Sequence, residues 1–141
     1  MNRSGAIVII EDDPDDQDIL KEIFKKLNYA NELIFFYDGE DALSFLMKAE
    51  VIPFLILSDI NLPKLDGLEL QRKLKQDAQL AIKCIPYIYL TTALNQKAVI
   101  DAYSASAQGF FVKGTTIAEI EKTISTIMTY WMRCAAPNNF N

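Results

Sequence analysis

Histidine is absent from this chain of 141 residues. With it go the Ser-His-Asp triad, His-ligated zinc and any phosphohistidine carried by the chain itself. Chemistry is left to carboxylates, hydroxyls and lysine. Cysteine is nearly absent too: Cys84 precedes an apolar, strand-like run and Cys134 lies in a polar tail. The pair forms neither a disulfide framework nor a metal motif and reads as two reduced thiols. Five glycines and five prolines stand against a hydrophobic fraction of 50%, which excludes a disordered, collagen-like or low-complexity polymer. The longest apolar stretches, such as Ala6 to Ile10, fall far short of the roughly 20 residues of a bilayer-spanning helix. No positively charged leader precedes an apolar segment, so a soluble, cytoplasmic protein with no membrane contact is expected. Basic charge is short as well: 14 Lys and Arg face 19 Asp and Glu, a net charge of −5, and the sequence pI is near 4.7. Binding to a phosphate backbone needs Lys and Arg clusters, so direct nucleic-acid binding is not expected.

What is present is alternation. Continuous apolar runs at Ala6 to Ile10, Leu33 to Tyr37, Phe54 to Leu57, Tyr87 to Leu90 and Phe110 to Val112 read as strands buried on both faces. Helical spacings lie between them: Ile19, Leu20, Ile23, Phe24 and Leu27; Ala42, Leu43 and Leu46; Leu70 and Leu74; Val99, Ala102 and Tyr103. The last is the longest, with Ile117, Ile120, Ile124, Ile127, Met128 and Trp131 behind a capping box of Thr116 and Glu119. Asp13 before Pro14 reads as an N-cap with proline at the first helical position, and Asp38-Gly39 as the turn into the second helix. Five strands and five helices in alternation predict an α/β fold with a parallel sheet. One domain is expected over 1–132, because a single core of this size is self-sufficient. Residues 133–141, with Pro137, Asn138 and Asn139, carry no periodic pattern and read as a flexible tail.

In an open parallel sheet, ligands bind beyond the carboxyl ends of the strands. Glu11, Asp12 and Asp13 follow Ile10; Asp59 follows Leu57 and Ser58; Thr91 and Thr92 follow Leu90; Lys113 follows Val112. Carboxylates gathered from two strands repel one another unless a cation sits between them. An all-oxygen set suits a hard divalent ion, Mg²⁺ before others. The alternative is a structural polar cluster. Six acids fall within Glu11 to Asp18, and a helix N-terminus favours acids without any metal. That cause accounts for Asp15, Asp16 and Asp18, and capping accounts for Asp13. Glu11 and Asp12 sit at a strand end instead, and an acid such as Asp59 directly after a buried strand is costly unless solvated, paired or metal-bound.

From about Ala6 to Trp131 the chain resembles the receiver domain of two-component response regulators. The segments that carry the likeness are VIIEDD at Val8 to Asp13, LILSDINLPKLDG at Leu55 to Gly67, IPYIYLTT at Ile85 to Thr92 and GFFVKG at Gly109 to Gly114. The acid run and the NLPKLDG segment also look like the stand-alone receivers that partner phytochrome-type histidine kinases. The resemblance implies a single doubly wound, flavodoxin-like sheet of order 2-1-3-4-5. It also implies a phosphoacceptor signalling domain, not a conventional enzyme. Position by position, it makes Asp59 the phosphoryl acceptor. Glu11 and Asp12, with Asp59 and the backbone carbonyl of Asn61, become Mg²⁺ ligands. Thr91 becomes the hydroxyl that binds the phosphoryl group, Lys113 its ion-pair partner and Phe110 the switching aromatic. Phe110 also fits an ordinary core aromatic, and Thr91 a plain strand-end threonine.

The implied partners are a sensor histidine kinase or phosphotransfer protein and a downstream protein target. Tyr130, Trp131 and Met132 extend the last helix and suit either core burial of Trp131 or a homodimer. The family's usual proline after the lysine is Gly114 here. Without proline a cis bond costs about 2.5 to 4 kcal/mol, so a trans Lys113-Gly114 bond is expected, with an altered loop and a less firmly placed Lys113. Thr92 and Ala93 occupy positions where the family varies. Two other readings stay open: a receiver-like interaction module without phosphorylation, and a Mg²⁺-dependent phosphohydrolase with Asp59 as nucleophile. Against the latter, Asn61 stands where a second acid is needed and no cap segment encloses a substrate.

Overall fold

The computed structural model describes residues 3–48, 50, 52–78, 84–92 and 95–135. Five strands alternate with five helices: β1 Ile7–Ile10, α1 Pro14–Lys26, β2 Leu33–Phe36, α2 Gly39–Leu46, β3 Leu55–Ser58, α3 Gly67–Gln76, β4 Tyr87–Thr91, α4 Gln96–Ser104, β5 Gly109–Val112 and α5 Ile117–Arg133. All pairings are parallel, and the sheet order is β2-β1-β3-β4-β5. The architecture is therefore the expected doubly wound, flavodoxin-like α/β fold. Residues 136–141, including Pro137, Asn138 and Asn139, and also Ala93, lie outside the described residues.

Alternation of side chains along each strand divides the core in two. Ile7, Ile9, Leu55, Leu57, Ile88 and Leu90 face α1 and α5, packing on Leu20, Ile23, Phe24, Ile124, Ile127 and Met128. Val8, Ile10, Ile56, Tyr87 and Tyr89 face the other way, onto Ala42, Leu46, Leu70, Ala98 and Ala102. Strands β1, β3 and β4 are buried throughout. The edge strands depart from the expectation of burial on both faces. Every residue of β2 is only half-buried and β5 grades from buried Gly109 to exposed Val112, because an edge strand has a neighbour on one side alone.

Two helical positions read as inward also face out. Tyr103 and Ile117 are exposed. In α4 the small Ala98 and Ala102, one turn apart, make the contact with the sheet. Ile117 stands in the first turn of α5, before that helix reaches the core residue Ile124.

Helix starts follow their caps. Asp13, Asp38, Asp66, Asn95 and Thr116 each accept a backbone N–H of the first turn. Glu119 completes the last cap by accepting the Thr115 N–H at 3.1 Å, one residue earlier than in the usual capping box. The helices thereby begin just beyond the strand ends, where the polar residues gather.

Candidate functional site

Strand register builds the site. Ile10 pairs with Ser58 across β1 and β3, and the N–H of Asp59 donates to the Ile10 carbonyl at 3.0 Å. Thr91 pairs with Val112 across β4 and β5, and the N–H of Lys113 donates to the Thr91 carbonyl at 2.8 Å. Four strands therefore end side by side, and the residues that follow β1, β3 and β5 meet the last residue of β4, Thr91, at one pocket.

Within it, Glu11, Asp12 and Asp59 each offer a carboxylate oxygen, and these oxygens lie within 4.8 Å of one another. Asp59 Oδ1 accepts from the Thr91 hydroxyl at 2.6 Å and from the Ile60 N–H at 2.7 Å. Lys113 Nζ donates to Glu11 Oε1 and, at 3.0 Å, to Asp16 Oδ2, and stands 3.9 Å from Asp59 Oδ2. Glu11 Oε2 accepts the Asp13 N–H at 3.2 Å, and Gln17, also buried, donates from Nε2 to the Glu11 carbonyl at 2.7 Å. Both ends of Glu11 are thus fixed.

Burial sets the electrostatics. The side chains of Lys113 and Glu11 are 7% and 4% exposed. Desolvation is the main influence on Glu11 and pushes its pKa up to about 7, against the pull of the Lys113 ammonium. Burial alone would lower Lys113, but the Glu11 carboxylate, with Asp16 and Asp59, holds it above the ordinary lysine value. The lysine therefore stays charged, and the pocket pairs one cation with an excess of acids. Such a surplus of oxygen donors, with exposed Asp12 open to solvent, fits a divalent cation that keeps part of its water shell.

The remaining expected residues lie around this centre. Asn61 is exposed, three residues past β3. Phe110 is half-buried on β5, its ring 5.7 Å from that of Tyr89. Thr92 is exposed beside the pocket. The Lys113-Gly114 bond is trans, since the described residues contain no cis peptide. Lys113 is nevertheless firmly held, by carboxylates instead of by loop stiffness. Glycine is required next to it: a Cβ at Gly114 would lie 2.3 Å from that of Glu119. The same holds at Gly67, whose missing Cβ would lie 2.2 Å from the Asp59 carbonyl and whose N–H donates to Ile60 O at 2.8 Å. That close approach seats α3 against the pocket floor.

Sequence reasoning assigned Asp16 to the helix dipole and overlooked a polar network under the site. Ser58 Oγ donates to the Asp59 carbonyl at 2.7 Å and accepts from the Tyr87 hydroxyl at 2.9 Å. The Tyr89 hydroxyl lies 2.6 Å from Gln71 Oε1 and 3.1 Å from the Gly67 carbonyl. Gln71 in turn donates to the Ala105 carbonyl just past α4 at 2.9 Å. Burial pushes both phenols up, so they remain donors. Tyr87 and Tyr89 read as apolar strand residues, and only the fold brings α3 beneath them.

An open α/β sheet with acids, a hydroxyl and a lysine at its carboxyl edge is the arrangement that a phosphoacceptor signalling module requires. Residues 7–125 match the family model described as response regulator receiver domain, and the chain belongs to that family. Its phosphodonor class is accordingly the histidine kinases. The chain is 32% identical over 136 residues to response regulator Rcp1 of Synechocystis sp., covering 93% of this chain and 91% of that protein. The crystal structure of Mn²⁺-bound Rcp1 superposes with a TM-score of 0.82 at 31% identity, covering 94% of this chain and 97% of that one. Phosphorylated RcpA, a cyanobacterial phytochrome response regulator, gives 0.83 at 27% identity, with 94% and 96% covered. No helix among the described residues is long and apolar enough to cross a membrane.

Proposed function

We propose that this protein is a stand-alone, cytoplasmic receiver that takes a phosphoryl group onto Asp59 from a sensor histidine kinase or phosphotransfer protein and signals by protein contact. The observation that carries this is the shared pocket, in which Asp59 has Thr91 on one oxygen and Lys113 near the other. Support for an Rcp1-like role comes from a match over 91% of that protein's length. In this reading the domain spans 1–132, followed by a short tail.

Phosphotransfer spreads negative charge over the equatorial oxygens of the moving group. Lys113 is charged and within reach of it, and the Thr91 hydroxyl and Ile60 N–H point at the acceptor carboxylate, so three donors are set before reaction begins. Glu11, Asp12 and Asp59, with the Asn61 carbonyl, would hold Mg²⁺, which supplies charge neutralisation at the same oxygens. As the acceptor becomes an anhydride, Thr91 turns from the carboxylate to the phosphoryl oxygens, and Phe110 moves into the space it leaves.

The contact face drawn from α4, β5 and α5 carries exposed Ile100, Tyr103, Val112 and Ile117, apolar groups suited to a downstream protein target. Trp131 packs on the core while Tyr130 is exposed. Tyr130, exposed but with its ring edge-on against Trp131, is the residue of this helix end that would support a homodimer. Phosphotransfer profiling from purified candidate kinases, with Asp59→Asn as control, tests the reading. Rapid labelling of wild type but not of the variant is expected, and equal labelling of both would overturn it.

A further inference from the structure

We propose that Asp16 is a positioning residue that tethers Lys113 beside Asp59, an inference resting on the functional reading above. Among the described residues, the carboxylates within 4.0 Å of Lys113 Nζ are those of Glu11, Asp16 and Asp59. Glu11 and Asp59 belong to the acid trio suited to a divalent cation, whereas Asp16 does not. Their charge is thus shared between two claims, and Asp16 is the acid committed to the lysine alone. Its placement suits the task. Asp16 lies in the first turn of α1, opened by Asp13 and Pro14, a position suited to an acidic residue. Its side chain is 32% exposed, while that of Lys113 is 7% exposed and has little water to turn to.

The need for a tether follows from Gly114. With glycine next in the chain, the lysine backbone has no ring to restrict it. The 3.0 Å contact from α1 supplies, across 97 residues of sequence, a restraint on the lysine side chain itself. Without Asp16 the lysine would fall back on Glu11, opposing cation binding and drawing Nζ away from Asp59.

A double-mutant cycle tests this, combining Asp16→Asn with Lys113→Met and using Asp15→Asn, an exposed acid of the same helix turn, as charge control. Two quantities are read: Mg²⁺ affinity of the unphosphorylated protein by calorimetry, and the acetyl phosphate dependence of phosphorylation. Asp16→Asn should lower the maximal rate about tenfold and weaken Mg²⁺ binding severalfold, leaving half-saturation by the anionic donor unchanged or improved. Both losses should fall below about twofold in the Lys113→Met background, and Asp15→Asn should produce neither. Equal losses with and without Lys113 would show a general charge effect and overturn the tether, as would no loss at all. If wild type accepts no phosphoryl group, the functional reading fails instead, and the cycle in Mg²⁺ affinity still decides the role of Asp16.

Discussion

Thr91 Oγ1 donates to Asp59 Oδ1 over 2.6 Å, joining the end of β4 to the end of β3 through two side chains 32 residues apart. Removing the hydroxyl leaves the Ile60 N–H as the other donor to that oxygen. Thr91→Ala should therefore slow phosphorylation of Asp59 by acetyl phosphate about tenfold without abolishing it, the scale expected for the loss of one hydrogen bond when a second donor remains. Thr91→Ser should stay within about threefold of wild type, because the hydroxyl is kept. Stopped-flow or mass-resolved time courses provide the check.

The raised pKa of Glu11 makes a pH prediction for the metal-free protein. In the unfolded chain the carboxyl titrates near 4.5, and in the folded pocket near about 7. The folded state therefore binds the proton more tightly, and the associated stability is fully present below 4.5 and lost as pH rises through 7. In EDTA, urea denaturation of wild type and Glu11→Gln at pH 5 and pH 8 should show wild type losing about 2 kcal/mol relative to the variant across that interval. A constant difference at both pH values would contradict it. Lys113 stays charged over the whole range, since its own pKa is raised.

Gly114 and Glu119 cannot both carry side chains in the present loop, as their Cβ atoms would lie 2.3 Å apart. Gly114→Ala should cost about 1 to 3 kcal/mol, the usual range for overpacking, measured as a fall in urea midpoint at unchanged m-value. It should also perturb Lys113, which a weaker Mg²⁺ affinity would report.

The network under the site gives a prediction for stability. Tyr89→Phe keeps the ring against Phe110 but removes the hydroxyl that meets Gln71 Oε1 at 2.6 Å, leaving a buried amide oxygen without that donor. A loss of about 1 to 3 kcal/mol is expected by thermal or chemical denaturation. Truncating Gln71 to Ala in the Tyr89→Phe background should then cost less than in wild type, since the two share one bond.

The strands and the strand-end acids were legible in the sequence because each is local: an unbroken apolar run followed at once by a charged or hydroxylated residue. Strand order followed from family likeness, and register was not legible, since no short-range pattern states that Ile10 pairs with Ser58. Asp16 was illegible for a physical reason: an acid in the first turn of a helix is already explained by the dipole, and its lysine partner lies 97 residues away. Tyr87 and Tyr89 alternate as buried strand residues do, and nothing in that pattern reveals hydroxyls bonded to Ser58, Gly67 and Gln71. Tyr103 and Ile117 fit helical spacing yet face solvent, because packing of α4 and α5 on the sheet, and not periodicity, selects the buried face. The trans bond at Gly114 was legible from the cost of the cis form, but the collision with Glu119 was visible only once α5 was in place.

The most direct test of the central claim is mass spectrometry of the intact protein after incubation with acetyl phosphate, followed by peptide mapping after borohydride trapping of the acyl phosphate. A single phosphoryl-sized gain at Asp59, present with Mg²⁺ and absent with EDTA or in Asp59→Asn, is the expected result. A gain that persists in Asp59→Asn, or none in wild type with Mg²⁺, would contradict a phosphoacceptor role for Asp59.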